Sequence, residues 1–411
     1  MQKDLYIYAL NNLKKRLTRS FLTILSILIG IMAIFTLVSF GQGLAKFSND
    51  IFEDMGTDKI MIQGRTFGPP GSGDSSFSRN EMRHIEKISG VDVVTGMYFT
   101  MSDVRHDFDT KPVTRYIMGA PIEGDKGDLF REMIAVTVTE GSDMSAGRYF
   151  KKDDVKKAVL GYNYQFDNKI FEKGLTTKDS IIIHNTEVDI IGFMNSLGNA
   201  EDDSNIYLSD EYFEELFGVE DEYAFIYLST KEGENPSEVA EEITKDLRKE
   251  RGLKKGNENF FVQTFEDMMK TYGNVITVIN SIVIIIALIS VAVAAINITN
   301  TMYTTVLERT QEIGIMKAIG AKNSEILKIF LIESGIQGLI GGTLGIIIGY
   351  LIASLGGYIA SISGYSMLQP YFPPWLIIGS LIFSTAIGAG AGLLPAIQAS
   401  KLKPVDSLRY E

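Results

Sequence analysis

SGIQGLIGGTLGIIIGYLIASLGGYIASISGYSMLQPYFPPWLIIGSLIFSTAIGAGAGLLPAIQAS, from Ser334 to Ser400, runs for 67 residues without an Asp, Glu, Lys, Arg or His. A helix needs only about 20 apolar residues, rising about 1.5 Å each, to cross the hydrocarbon core of a bilayer. The run is therefore too long for one span, and Gly364, Pro370, Pro373 and Pro374 divide it. It predicts two, at 329–355 and 375–396, joined by a loop at 356–374. Upstream, FLTILSILIGIMAIFTLVSF at 21–40 is a third candidate span. It exceeds the apolar core of a cleaved signal peptide, usually 7–15 residues, and no A-x-A site follows it, so it is read as retained. A fourth uncharged stretch, 271–307, is densest between Val275 and Ile298.

Between the first two spans, residues 41–270 carry 27 Lys and Arg against 44 Asp and Glu, a net −17, which leaves +5 for the rest of the 411-residue chain. That acidity argues against nucleic acid as a partner. The flanking basic residues set the orientation: Lys14, Lys15, Arg16 and Arg19 precede span one, Arg309, Lys317, Lys322 and Lys328 lie between spans two and three, and Lys401, Lys403 and Arg409 end the chain. All of them fall on one side if both termini and the 308–328 and 397–411 segments are cytoplasmic and 41–270 is extracytoplasmic. Leu5, Ala9, Leu13 and Leu17 recur at helical spacing, which reads as an amphipathic helix over 1–20 lying on the inner face.

The 41–270 insert reads as a mixed α+β domain. KIMIQG (59–64), VDVVTGMYF (91–99), TRYIMGA (114–120), SIIIHNTEVDIIGFM (180–194) and AFIYLST (224–230) are strand-like, and GRTFGPPGSGDSS (64–76) has loop composition. Ser78 or Asn80 can cap one helix, and Pro236 with Ser237 can open another that ends before Gly252. With no Cys, disulfides and thiolate sites are excluded, and His84, His106 and His184 show no paired metal spacing. The acidic clusters 201–203 and 220–222 lack a calcium-loop spacing and read as solvated surface. No G-x-x-x-x-G-K-[ST], G-x-S-x-G or H-E-x-x-H occurs, so no catalytic site, cofactor or metal is assigned.

Two features remain. Small residues recur every fourth position at Gly341, Gly345, Gly349, Ala353 and Gly357, and again at Ser380, Ser384, Gly388 and Gly392; such stripes let helix backbones approach closely, and read as packing between helices. ERTQEIGIMKAIGAKNSEILKIFLIES (308–334) has apolar residues at helical spacing interrupted at Gly320, a pattern that fits a short docking helix for a cytoplasmic partner. Glu312 and Lys317 are five residues apart, outside neighbour spacing, and are expected to face that partner. Gly314 and Gly320 are expected to permit close backbone approach, with Gly320 also ending the helix.

This segment resembles the coupling loop of MacB/FtsX-type permeases, E-R-x-x-E-I-G-x-x-K/R-A-x-G-A, at Glu308, Arg309, Glu312, Ile313, Gly314, Lys317, Ala318, Gly320 and Ala321. The tail LPAIQASKLKPVDSLRYE (394–411) is similar to the family's ending, and GRYFKKDDVKKAVLGYNY (147–164) and EVDIIGFM (187–194) to its MacB-like core domain. The resemblance implies an integral membrane protein of four transmembrane helices with the α+β domain inserted between helices 1 and 2. It implies a non-catalytic permease subunit acting with a separate ABC ATPase subunit that binds the ATP. It further implies a homodimer, an extracytoplasmic adaptor protein as a further partner, and movement of the outer domain in export or efflux. Since this sequence opens at the permease, the ATPase is expected on another chain. A lipoprotein-release or cell-wall-hydrolase-regulating permease, or a non-transport receptor, are the alternatives; the receptor leaves the 308–321 motif without a purpose.

Overall fold

The computed structural model describes residues 17–65, 76–107, 111–134 and 144–404. The chain divides into two compact units, one made of residues up to Ala45, Val275–Ile359 and Leu368 onward, the other of Lys46–Asn274 and Ala360–Met367. Helix α1 spans Leu17–Met55. Residues 1–16 of the expected amphipathic helix, most of the 64–76 loop and the last seven residues of the tail lie outside the described residues.

The second unit is built on a mixed sheet of β1 (Lys59–Gly64), β2 (Val91–Arg105), β3 (Val113–Ala120), β4 (Met144–Gly147), β5 (Lys157–Leu160), β6 (Ser180–Ile183), β7 (Thr186–Met194), β8 (Ile206–Ser209), β9 (Phe225–Thr230) and β10 (Phe260–Thr264). Their order is β10-β1-β9-β2-β3-β8-β5-β7-β4, with β6 pairing to both β2 and β7. Pairs β3–β8 and β5–β7 are parallel. The long strand β2 pairs with β9 through Met97 opposite Phe225 and with β3 from Tyr98 opposite Gly119 onward.

Strand alternation sorts the core. Ile226 and Leu228 of β9 join one apolar cluster with Tyr98, Ile117 and Phe213, while Phe225 and Tyr227 point to a second cluster with Met97 and Phe130. Helices α2 (Arg79–Ile85), α3 (Gly124–Ile134), α4 (Asp210–Phe217) and α5 (Pro236–Glu250) cover the sheet. In α5, Val239, Ala240, Ile243 and Leu247 make the buried face; Asn235 caps its start by accepting from Ser237 N–H, Pro236 opens it, and Gly252 turns left-handed beyond its end. Arg251 follows, donating from Nε to Glu81 Oε1 at 2.6 Å with its guanidinium over the rings of Phe77 and Phe260. Ser78 rather than Asn80 caps α2, in a capping box with Glu81.

Two expectations are corrected. SIIIHNTEVDIIGFM is a hairpin and not one strand, because His184 and Asn185 both take positive φ, 48° and 61°, the geometry of a tight two-residue turn. Asp203 is not solvated surface. It is buried, and its carboxylate accepts from Ser196 Oγ and Leu197 N–H at 2.6 Å each; burial pushes its pKa up against those bonds.

In the first unit, the helices that follow are α6 (Phe265–Glu308), α7 (Thr310–Ala318), α8 (Asn323–Ile362) and α9 (Pro374–Lys401). The Thr23–Asp50 stretch of α1, together with α6, α8 and α9, is long and apolar enough to cross a membrane. Each helix extends past the span read from the sequence, since a helix continues beyond the bilayer until something breaks it. For α1 that is Gly56 and for α8 Gly364, both at positive φ.

The segments 147–164 and 187–194 meet in the second unit, where Lys157 and Ala158 of β5 run parallel to Asp189 and Ile190 of β7. Their junction is organised by Asp154, whose side chain is 4% exposed. Arg148 donates to it from Nη1 at 2.5 Å and Nη2 at 2.9 Å, Lys157 Nζ at 2.9 Å and Lys151 N–H at 2.7 Å. Arg148, then Lys157 and the backbone, hold the Asp154 carboxyl well below the usual carboxylate range. Because the folded-state pKa is depressed, the stabilisation is complete above the unfolded value and fades as pH falls. Asp154→Asn should cost about 1–3 kcal/mol at neutral pH. In thermal unfolding of the full chain in detergent, the gap between the two proteins should shrink below about pH 4; a gap independent of pH would contradict this account.

Candidate functional site

Arg309 breaks the chain between α6 and α7. Its backbone, at φ −107° and ψ 13°, leaves the helical region for one residue, and Ile313 N–H then bonds back to Arg309 O. Nine residues later α7 ends in a Schellman motif: Ala321 N–H reaches Met316 O and Gly320 N–H reaches Lys317 O, with Gly320 at φ +103°. Nothing stands within 4 Å of where a Gly320 Cβ would be. Backbone conformation, and not space, is what requires glycine there. Lys322 N–H then donates to Glu325 at the start of α8.

The motif residues divide between two faces of α7. Ile313 and Gly314 are buried, Ile313 in a cluster with Met302, Val306, Ile326 and Phe330. Arg309 is only 5% exposed; its Nη1 donates to Glu333 Oε2 at 3.1 Å, its Nε to Glu312 Oε2 at 3.1 Å, and its guanidinium lies 5.5 Å from the Phe330 ring centre. Lys317 Nζ donates to Ser400 O, in the last turn of α9, and to Leu402 O, on the residue that caps it, both at 2.6 Å, where carbonyls have no partner along the helix. Lys317 is therefore turned toward α9, contrary to the expectation that it faces outward. Glu308, Glu312, Ala318 and Gly320 are exposed and Ala321 is half-buried. Beside them Ile315 and Ile319, 52% and 82% exposed, form the apolar part of the outward face.

Glu333 was not picked out from the sequence. The available signal was its position: the last charge before the uncharged run, in fourfold register with Gln337, Gly341, Gly345 and Gly349, all buried on α8. Toward α1, a Cβ on Gly341 would meet Ile27 Cβ at 2.8 Å, one on Gly345 would meet Leu28 O at 2.8 Å, and one on Gly349 would meet Met32 O at 3.1 Å. A second row of α8 faces α9. There a Cβ on Gly388 would lie 2.5 Å from Ser334 O and 2.9 Å from Gly338 Cα, and one on Gly392 2.6 Å from Ser334 Cβ. The two stripes read from the sequence thus lie in different contacts. Polar side chains join the other pairs: Thr23 Oγ1 to Thr301 Oγ1 and Asn297 Nδ2 to Ser26 Oγ, each at 3.1 Å between α1 and α6, and Thr299 Oγ1 to Ala391 O at 2.9 Å between α6 and α9.

Four helices able to cross a membrane, an α/β domain inserted after the first, and a short helix held between the second and third define a multi-pass membrane protein built around a large inserted domain. The family description "MacB-like periplasmic core domain" matches residues 20–246 and "FtsX-like permease C-terminal" matches residues 284–404. An uncharacterized ABC transporter permease of Methanocaldococcus jannaschii is 35% identical over 409 residues, covering 99% of this chain and 98% of the relative. The macrolide export ATP-binding/permease protein MacB of Neisseria gonorrhoeae is 29% identical over 399 residues; the match takes in 96% of this chain and 58% of MacB. The solved periplasmic region of MacB from Actinobacillus actinomycetemcomitans aligns with 55% of this chain at 17% identity and a TM-score of 0.39. The chain belongs to the MacB/FtsX-type family of ABC transporter permeases.

The contact between α8 and α9 gives a signed prediction. Alanine normally favours a helix over glycine by up to about 1 kcal/mol. At Gly388 the added methyl must displace backbone, so Gly388→Ala should instead cost about 1–3 kcal/mol. Gly390, with nothing within 4 Å of its Cβ position, is the control. Thermal unfolding in detergent should separate them, and equal midpoints would contradict the contact.

Proposed function

We propose that the chain is the permease subunit of an ABC transporter, working with a separate ATPase subunit that docks on α7, and that ATP-driven movement there reaches the inserted domain for export or efflux of a substrate. The observation that carries this reading is the asymmetry of α7: one face is bonded to α8 and α9, while the other offers Ile315 and Ile319 between the polar Gln311 and Glu312. An apolar ridge on a short helix with no bilayer-length run of its own suits a protein groove. Family membership supports an ATPase as the occupant, and a homodimer and an extracytoplasmic adaptor remain part of the proposal. Basic residues at the ends of the spans support a cell-membrane location with both termini cytoplasmic and 41–270 outside.

Ile319→Asp should weaken retention of the ATPase subunit about 30-fold, the scale of an interface hot spot, while Asn323→Ala, at an exposed site one turn beyond, should not. Copurification from native membranes in mild detergent reads both. Retention of the partner by Ile319→Asp would sink the docking assignment. Orientation is checked by labelling with a membrane-impermeant maleimide, because the chain has no cysteine of its own. Glu242→Cys should label in intact cells and Ala318→Cys only after permeabilisation; the reverse order would refute the topology.

A further inference from the structure

We infer that Arg309, Glu333 and Lys317 are positioning residues that make α7 a two-point clamp, converting a push on its outward face into relative movement of α8 and α9. The inference rests on the functional reading above and goes beyond it: docking concerns the outward face of α7, the clamp its inward face.

The first point is the Arg309–Glu333 pair. Both residues are at most 5% exposed, and the Arg309 head is enclosed by Glu333, Glu312 and the Phe330 ring. Withdrawing two charges from water is costly, and an apolar pair of similar volume would hold such a site at least as firmly. What a hydrogen-bonded ion pair provides instead is one defined geometry. It does so at the single residue where the α6 helix is interrupted, so the angle at which α7 leaves α6 is set by α8. Glu333 also heads the row that continues through Gly341, Gly345 and Gly349 against α1. Displacement at Arg309 therefore enters α8 at the end of the stripe on which α1 rests.

The second point is Lys317, near the other end of the nine-residue α7. Its ammonium closes on the terminal carbonyls of α9, the favourable end of that helix's dipole for a cation. A short helix fixed to α8 at its start and to α9 at its end cannot slide as a whole. When its exposed ridge is pushed it tilts, and the tilt shifts α8 against α9. Those helices meet through Gly338, Gly388 and Gly392 with only the short side chains of Ser334 and Ser384 between them, which leaves little to absorb the change.

The test uses the full chain with the ATPase subunit it copurifies with, in lipid nanodiscs, carrying nitroxides at Gln311→Cys on α7 and Glu242→Cys on α5. Without the ATPase, Glu333→Gln should raise the mobility of the Gln311→Cys label. In the complex, Glu333→Gln and Lys317→Met should each keep the ATPase bound. Each should reduce the ATP-driven distance change, lowering the shift in the ratio of its two label-distance populations by about two- to thirty-fold. The exchange Arg309→Glu with Glu333→Arg, made together with Glu312→Gln so that no second carboxylate faces the new one, should restore mobility and distance change together, a rescue that a role in stability alone does not predict. Should Glu333→Gln fail to fold, the exchange variant and Lys317→Met, which leaves the buried pair intact, decide the matter. An undiminished distance change in Lys317→Met, or a folded exchange variant without rescue, overturns the clamp. No ATP-driven change in the unsubstituted complex overturns the functional reading and the clamp with it; a change that survives every substitution overturns the clamp alone.

Discussion

Helices in lipid gain nothing from hiding apolar surface from one another, because the acyl chains are as apolar as leucine; they stay together only where backbones come close enough for dispersion and small polar contacts to count. In this chain that condition is met chiefly on α8. One row of its glycines receives α1 and another receives α9, and the end of the helix nearest Arg309 receives α7. Enlarging the side chain at one of these glycines pushes apart backbones that now meet there. Polar bonds do the same for α6, through Thr301 and Asn297 to α1, where Gly30 and Gly41 also face it, and through Thr299 to α9.

The ion pair at Arg309 obeys a different economy. In the glycine rows geometry follows from the absence of atoms; at Arg309 it follows from charges that tolerate no other arrangement. The second unit repeats the device. Arg251, closed between Glu81, Phe77 and Phe260, and Asp154, gripped by Arg148 and Lys157, each fix a junction between elements where apolar packing alone would leave the angle free.

The helical unit was largely legible because charge is excluded from hydrocarbon, so gaps in charge mark helices long before any contact is known. The limits of those helices were not, since nothing about the bilayer obliges a helix to stop at its edge, and α1 and α8 continue to Gly56 and Gly364. The 308–321 motif gave the residues of the candidate site but not their directions: Arg309 and Lys317 look like surface charges until Glu333 and the carbonyls of Ser400 and Leu402 are known to lie beside them. In the inserted domain the longer strands could be read by alternation. The four-residue strands β4, β5 and β8 could not, because so few positions carry no period that distinguishes them from loop. The β6–β7 turn was hidden because His184 and Asn185 lack the glycine that usually announces positive φ.

Strand β2 carries a further consequence. Its fifteen residues give their first half to β9 and most of their second half to β3, and through β9 and β3 to the two flanks of the sheet. The inserted domain therefore has no seam. A protease nick, a truncation or a graft between Val91 and Arg105 would part the half of β2 bound to one flank from the half bound to the other, so recombination among relatives should exchange this domain whole, with its boundaries in the flanking helices and none within the sheet.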